Sequence, residues 1–346
     1  MTPIVQADID KRYQKLAQKK DFLIRLNKLI PWEEFRPVLN QVREKPRKSN
    51  AGRPPLDVIL LFKLLVLQKL FNISDEELEY QVIDRFSFME FLGLSLADEV
   101  PDATTVWLFR QQLTNAGLVT KLFDQFESYL QGHGYQAQGG QILDATIVPV
   151  PKQHFSKEEK EQLDKGEMPK EWKENPHRRS QRDTDANWTK KNNVSHFGYK
   201  DHISVDVEYG FVRGYSVSDA AMHDSQALPD ILDEDNEGEE VWADSAYRSA
   251  LIEWFLALLN WCSQIHEKGY RNHPLTEQQK EKNREKSKTR AKVEHVFGVW
   301  VNEMGGKLLR SIGLERAKTN LGLRNLVYNL KRYVYLESRA AATIVR

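Results

Sequence analysis

Apolar residues recur at helical spacing through the first part of the chain and alternate at strand spacing only further on. Residues 1 to about 50, which include RYQKLAQKKDFLIRLNKLIPW, predict amphipathic helix that breaks at a basic linker, EKPRKSNAGRPP. From about Asp57 to Phe71 apolar residues surround most of the helical circumference, predicting a helix buried on nearly all sides. Ser74 and Glu77 have capping-box spacing and open DEELEYQVIDRFSFMEFLG as the next helix. Asp102 follows Pro101 and caps ATTVWLFRQQL, which ends near Gly117; VTKLFDQFESYLQGHG then continues helical to Gly132 and Gly134.

At Gly139 the texture changes to strand. QILDATIVPV is β-branched and bounded by glycine. Residues 153–192 are polar and without periodicity, which reads as a long loop or small insertion. FGYKDHISVDVEYGFVRGYSVS predicts a hairpin turning at Glu208-Tyr209-Gly210, and EVWADSAY a short apolar strand running straight into the helix RSALIEWFLALLNW. WCSQIHEK could form one more strand. A helical region carrying KTRAKVEHVFGVW follows, and the apolar-spaced helix RNLVYNLKRYVYL closes the chain. Helices followed by a mixed strand–helix module suggest two domains, an all-α unit at 1–137 and an α/β unit at 138–346.

Composition changes this picture only in part. The single cysteine, Cys262, excludes an internal disulfide and a Cys-rich zinc site. No run approaches the length of a membrane helix, and MTPIVQADIDKRY lacks a signal core, so an intracellular protein is expected. Fifty basic and fifty acidic residues cancel, but not evenly along the chain. Lys280 to Lys292 holds seven basic residues against Glu281 and Glu285, whereas Asp230 to Glu240 holds seven acidic residues and none basic. Either block is what a solvated face looks like, yet such segregation also lets a neutral protein present a basic surface to nucleic acid.

Among so many acids, position singles out three. Asp144 lies within an apolar strand, where a charge is costly unless paired or metal-bound. Asp244 ends the strand Val241-Trp242-Ala243, at the kind of strand terminus where α/β proteins gather ligands. Glu294 reads as a mid-helix residue bordering the apolar Val293, Val296 and Phe297. Oxygen ligands on two strands and one helix suit Mg²⁺ and, with two ions, phosphoryl transfer on DNA. Asp206 and Asp224 compete with Asp244 for the second place.

These residues also carry a resemblance. DAT around Asp144, WADSAY around Asp244, TRAKVEHVFG around Glu294, DANWTKKNNVSHFGYKDHISVD between them and VPDATTVWLFRQQL upstream resemble, in order, the boxes of insertion-sequence DDE transposases of family five. The resemblance implies a ribonuclease-H-like mixed sheet flanked by helices, with the all-α N-terminal domain serving DNA binding and dimerisation. It implies Asp144, Asp244 and Glu294 as the catalytic triad and ligands of two Mg²⁺ ions, for which Mn²⁺ can substitute. The implied reaction is cleavage at insertion-sequence ends and strand transfer into target DNA, by a homodimer acting in the bacterial cytoplasm on terminal inverted repeats. Arg290 matches the Arg of the related Tyr-Arg-Glu-Lys signature, whereas Ser287 and Val301 stand at its Tyr and Lys positions.

Further residues are candidates for DNA contact. Lys286, Lys288, Arg290 and Lys292 lead into Glu294, and Lys200 could line the same channel. Arg110, with Thr104, Thr105, Trp107 and Gln111, would face DNA if the helices opened by Ser74 and Asp102 form a helix-turn-helix; a plain α-bundle reads equally well. Trp188 and Trp300 could stack on an unpaired base or simply pack. A transposase-derived repressor and a nuclease without strand transfer are the alternative functions. His223-Asp224 lacks the further His and Asp that a metal phosphohydrolase needs.

Overall fold

A computed structural model of the protein describes residues 3–19, 21–43, 55–271 and 273–344. The first part is helical: α1 (Pro3–Gln18), α2 (Phe22–Leu29), α3 (Arg36–Asn40), α4 (Val58–Phe71), α5 (Asp75–Asp84), α6 (Phe86–Leu92), α7 (Ala103–Asn115) and α8 (Leu118–Gly132). The expected linker lies outside the described residues up to position 54. Side-chain caps set the helix starts: Asp57 accepts from the Ile59 and Leu60 amides, Ser74 from Glu77, and Asp102 from Thr105. α4 is buried along nearly its whole length, including Gln68 and Lys69. The helix expected from Ser74 onward is two helices. Arg85 takes an extended backbone between α5 and α6, and its guanidinium lies over the rings of Phe71 and Phe88. The bend lets Leu78 and Val82 on one helix and Phe88, Phe91 and Leu92 on the other reach the same core.

The sheet comprises β1 (Gln141–Pro149), β2 (Asn187–Lys191), β3 (Val194–Asp206), β4 (Val212–Asp219), β5 (Glu240–Ala243) and β6 (Cys262–Ser263). β3 runs antiparallel to β1 along one side; on its other side β2 pairs with its first residues and β4 with the rest. β5 is parallel to β1, and β6 parallel to β5. The spatial order β4-β3-β1-β5-β6, three antiparallel strands followed by two parallel to the first, is ribonuclease-H-like. The expected hairpin is present as β3–β4. Residues 153–192 are not a structureless loop: they form α9 (Lys157–Asp164), α10 (Lys170–Glu174), α11 (Pro176–Ser180) and β2. A genuine capping box at Ser156 and Glu159 starts α9, and Trp172 is buried by Phe155. Short polar helices of this kind carry too little apolar periodicity to announce themselves.

α12 (Leu228–Ile231) and α13 (Ala250–Leu258) pack on Leu143, Val241 and Ala243 from one side of the sheet. α14 (Glu277–Arg290), α15 (Val293–Asn302) and α16 (Leu314–Ile344) complete the chain. α16 touches β4 as well as α2, α4, α7 and α8, so one apolar cluster runs from Leu23 and Phe62 through Leu326 and Val327 to Ile203 and Val212. Its polar residues grip the sheet. Asn329 donates to the Val212 carbonyl (2.7 Å) and accepts from its amide (2.9 Å), as a neighbouring strand would, and Asn325 donates to Asp201 (3.0 Å). No helix among the described residues is long and apolar enough to cross a membrane.

Two features of the sheet lead to testable outcomes. Gly140 has φ +82°, and a Cβ there would lie 2.4 Å from the Glu240 carbonyl oxygen, at the start of the β1–β5 pairing. Gly140→Ala should therefore cost about 2–4 kcal/mol, visible as a lower urea midpoint; a wild-type midpoint would contradict the close approach. His202 is buried on β3 with its Nε2 at 2.9 Å from Ser218 Oγ, and burial pushes its pKa from 6.5 down to about 4. The unfolded chain thus takes up a proton that the folded one refuses, and stability is lost as pH falls from 6.5 toward 4. Over that window His202→Asn should lose less stability than the wild type, measured by urea unfolding at each pH; parallel curves would contradict it.

Candidate active site

The strand register brings the first two carboxylates together. Leu143 pairs with Ala243 between parallel β1 and β5, so the next residues on the two strands are Asp144 and Asp244. Neighbouring strands lie about 4.8 Å apart. Asp244 follows the last residue of β5, and its carboxylate accepts from the Ala246 amide (2.8 Å), capping the single turn Ser245–Tyr247 that precedes α13. A 3-10 turn, not the expected immediate helix, thus holds Asp244 in place.

Asp144 sits in the central strand with little exposure. Its Oδ1 accepts from the Ala145 amide (2.8 Å) and its Oδ2 from Arg290 Nη1 (2.9 Å). Burial nevertheless pushes its pKa up to about 6; Arg290 and the amide act against that rise, and the charges of Asp244 and Glu294 add to it. Arg290 also faces Glu294, at 3.7 Å, and so bridges two of the three carboxylates. Its Nε is buried with no hydrogen-bond partner among the described residues.

Glu294 is not mid-helix. The helical pattern breaks at Ala291–Lys292, and Glu294 stands in the first turn of α15, with its side chain 60% exposed. Val293, Val296 and Phe297 bury the other side of that helix. Position in a first turn favours an acid, because unpaired backbone N–H groups there carry partial positive charge. Among the described residues, no three His, Cys, Asp or Glu side chains converge closely enough to hold an ion. The donor set itself suits a hard divalent cation: carboxylate oxygens on a buried strand, a strand end and a helix start, with the buried one short of positive charge.

The rival acids are used elsewhere. Asp206 is buried, accepts from the Tyr209 and Phe211 amides and pairs with Arg213 (2.9 Å), so it shapes the hairpin turn. Asp224 pairs with Lys200 (2.8 Å), which also donates to the Met222 carbonyl. Lys200 is thereby tied down beside the sheet. Lys286 donates to the Ile265 carbonyl and Lys292 to the Val207 carbonyl, while Lys288 stays exposed. Arg110 makes a two-pronged pair with Asp75 (2.7 and 2.8 Å) that ties α7 to α5. α6 intervenes in the chain between those two helices. Trp300 is fully buried and cannot stack on a base; Trp188 packs against Phe197 and His154.

Two neighbours of the site escaped the sequence reading. Lys307 follows α15, donates to Thr146 Oγ1 (2.6 Å) two residues beyond Asp144, and feels the charges of Glu294 and Asp144. Val301 is half-exposed, so this loop lysine brings an ammonium to the site that the helix does not. His266 donates its amide to the Ala243 carbonyl (3.1 Å), its Nε2 lies 3.3 Å from Ser287 Oγ, and burial beside Arg290 lowers its pKa. Both stand in irregular segments with no periodic pattern; only the closeness of Lys307 to TRAKVEHVFG in sequence hints at it.

Known proteins resemble the chain over most of its length. Residues 135–330 match the family model described as Transposase DDE domain, and residues 11–112 match that described as Transposase domain (DUF772). A cryo-EM structure of a piggyBac transposase synaptic complex with hairpin DNA aligns with 93% of this chain and 75% of its own at 11% identity and a TM-score of 0.46, a likeness too slight to argue from. The first family model alone spans more than half of the chain, from the approach to β1 into α16, and the chain therefore belongs to the DDE transposases and is a DNA transposase.

Proposed function

We propose that Asp144, Asp244 and Glu294 are the catalytic carboxylates of this transposase, and that it cleaves DNA at insertion-sequence ends and joins those ends to target DNA. The observation that carries the reading is the register of β1 on β5, which sets Asp144 beside Asp244, together with the Arg290 bridge from Asp144 to Glu294. The three carboxylates would hold Mg²⁺, and two such ions supply activation of the attacking oxygen and stabilisation of the leaving one. In cleavage, water attacks phosphorus, the P–O3′ bond breaks and the 3′-oxygen leaves with a proton. In joining, the freed 3′-hydroxyl attacks a target phosphodiester and displaces its 3′-oxygen.

Arg290 pairs with Asp144 without fully offsetting its burial and keeps a buried N–H group to spare. Were a cation to neutralise Asp144, the Arg290 guanidinium would be free to hydrogen-bond the oxygens of the phosphate under attack. Lys307 adds charge beside the same oxygens, and Lys286 and Lys288 on α14, with Lys292 just after it, extend that charge as backbone contacts. Gripping of the ends and a homodimer contact on DNA fall to residues 1–137, and catalysis to residues 138–346.

Asp144→Asn, Asp244→Asn and Glu294→Gln should each reduce Mg²⁺-dependent cleavage of end-containing DNA at least about a thousandfold, since several kcal/mol of charge stabilisation are lost, with end binding retained. Retained cleavage in any of them would remove that residue from the site. Precleaved ends that are never joined to target would leave a nuclease, and end binding without nicking by the wild type a repressor. Mg²⁺ should also raise the melting midpoint of the wild type, which it binds only when folded, and not that of Asp144→Asn. An equal rise in both would place the ion elsewhere.

A further inference from the structure

A second cationic site lies beyond the carboxylates. Between α4, α5, α7, residues 308–312 and the start of α16 is a cavity of about 450 Å³. Arg324 on α16 lines it while only 2% exposed, and its Nε and Nη1 are buried without a hydrogen-bond partner among the described residues. Among the described residues its Nη2 reaches only the side-chain oxygen of Asn72 (3.3 Å), and its guanidinium lies 5.4 Å from the centre of the Trp300 ring. Lys69, 8% exposed on α4, bonds only the side-chain oxygen of Asn320 among the described residues. Arg310 and Arg316 likewise donate to neutral oxygens, of Asn72, Gln111 and Ile312.

The acids on the walls do not balance these cations, of which Arg324 and Lys69 are buried while Arg310 and Arg316 are exposed. Asp75 is taken by Arg110, and Glu76 is exposed. The buried Asp201 acts on Arg324 only at a distance and accepts its bond from Asn325. Burial and mutual repulsion push Lys69 well below its ordinary pKa and Arg324 down to about 10. Buried cations without counter-charge are costly, and a guanidinium with two free donors matches phosphate oxygens.

We propose that this cavity seats a phosphodiester of the DNA strand that leaves the catalytic carboxylates, an inference that rests on reading the chain as a DNA transposase. The route is short. Lys307 stands at Thr146, the Leu309 amide donates to the Pro149 carbonyl (2.9 Å) at the end of β1, and Arg310 then borders the cavity. Three residues span at most about 10 Å, roughly the axial rise of three phosphates along one strand. Backbone charge is read there without regard to base sequence, so the site strengthens grip on any duplex and fixes its path between the helical part and the sheet.

The test uses full-length protein and a short fluorescein-labelled duplex of arbitrary sequence, titrated by polarisation over a range of salt. Each phosphate contact contributes about 0.9 to the slope of log affinity against log salt. Arg310→Ala, at an exposed position, and Arg324→Gln should each lower the slope by about one, with the melting midpoint of Arg310→Ala unchanged. Wild-type slopes in both variants would overturn the proposal. So would a rise in melting midpoint caused by inorganic phosphate alone and abolished by Arg310→Ala while the DNA slope stays fixed, since the site would then take a free anion. A wild-type protein without salt-dependent DNA binding would overturn the transposase reading itself.

Discussion

A carboxylate in the middle of an apolar strand is unfavourable, and a second one at the same level on the adjacent strand makes it worse. Asp144 is nonetheless held there, beside Asp244, because Arg290 reaches in from the end of α14 and meets it at 2.9 Å. Much of the surrounding architecture follows from keeping those charges together. β1 must be central so that a parallel partner can bring Asp244 alongside; Gly140 lets β5 approach at the start of that pairing. The break at Ala291–Lys292 ends α14 with Arg290 in its last turn and starts α15 with Glu294 in its first. One guanidinium then faces both acids. The tension left over, visible in the raised pKa of Asp144, is what a divalent cation would relieve.

The helical part and the sheet are not merely tethered. α16 lies between them, apolar toward α4 and α8 and bonded through Asn325 and Asn329 to β3 and β4. A side chain on α16 can therefore serve both. Arg324 does so: it lies over the ring of Trp300 on α15, donates to Asn72 just after α4, and lines the cationic cavity at the junction. DNA lying across the carboxylates and into that cavity would bridge both parts of the molecule. Rigid backing by one continuous core suits a reaction that depends on holding a phosphodiester in line between two groups.

What was legible in the chain was whatever had periodicity or an out-of-place charge. The β-branched run around Asp144 and the apolar run ending at Asp244 announce strands, and a lone acid in each stands out against its neighbours. α4 is equally plain, since its apolar residues leave no polar face. Breaks without glycine or proline were not legible: Arg85 divides α5 from α6 and Lys292 divides α14 from α15, both inside patterns that run on as helix. The second break moved Glu294 from mid-helix to a first turn. Lys307 and His266 could not be found by spacing, because irregular segments bring them to the site. Spacing alone leaves Arg110 equally a DNA contact or a bundle residue; its bonds to Asp75 and Gln68 become visible only in the fold.

We propose that a divalent cation draws Asp144, Asp244 and Glu294 together, although the three do not converge on one point without it. Iron-directed cleavage of the polypeptide tests it most directly. Fe²⁺ bound in place of Mg²⁺, with ascorbate and peroxide, generates hydroxyl radicals that cut the backbone close to the ion. The account predicts fragments ending near residues 144, 244 and 290–294 that vanish in Asp144→Asn and under excess Mg²⁺. Cuts elsewhere, or an unchanged pattern in that variant, would contradict it.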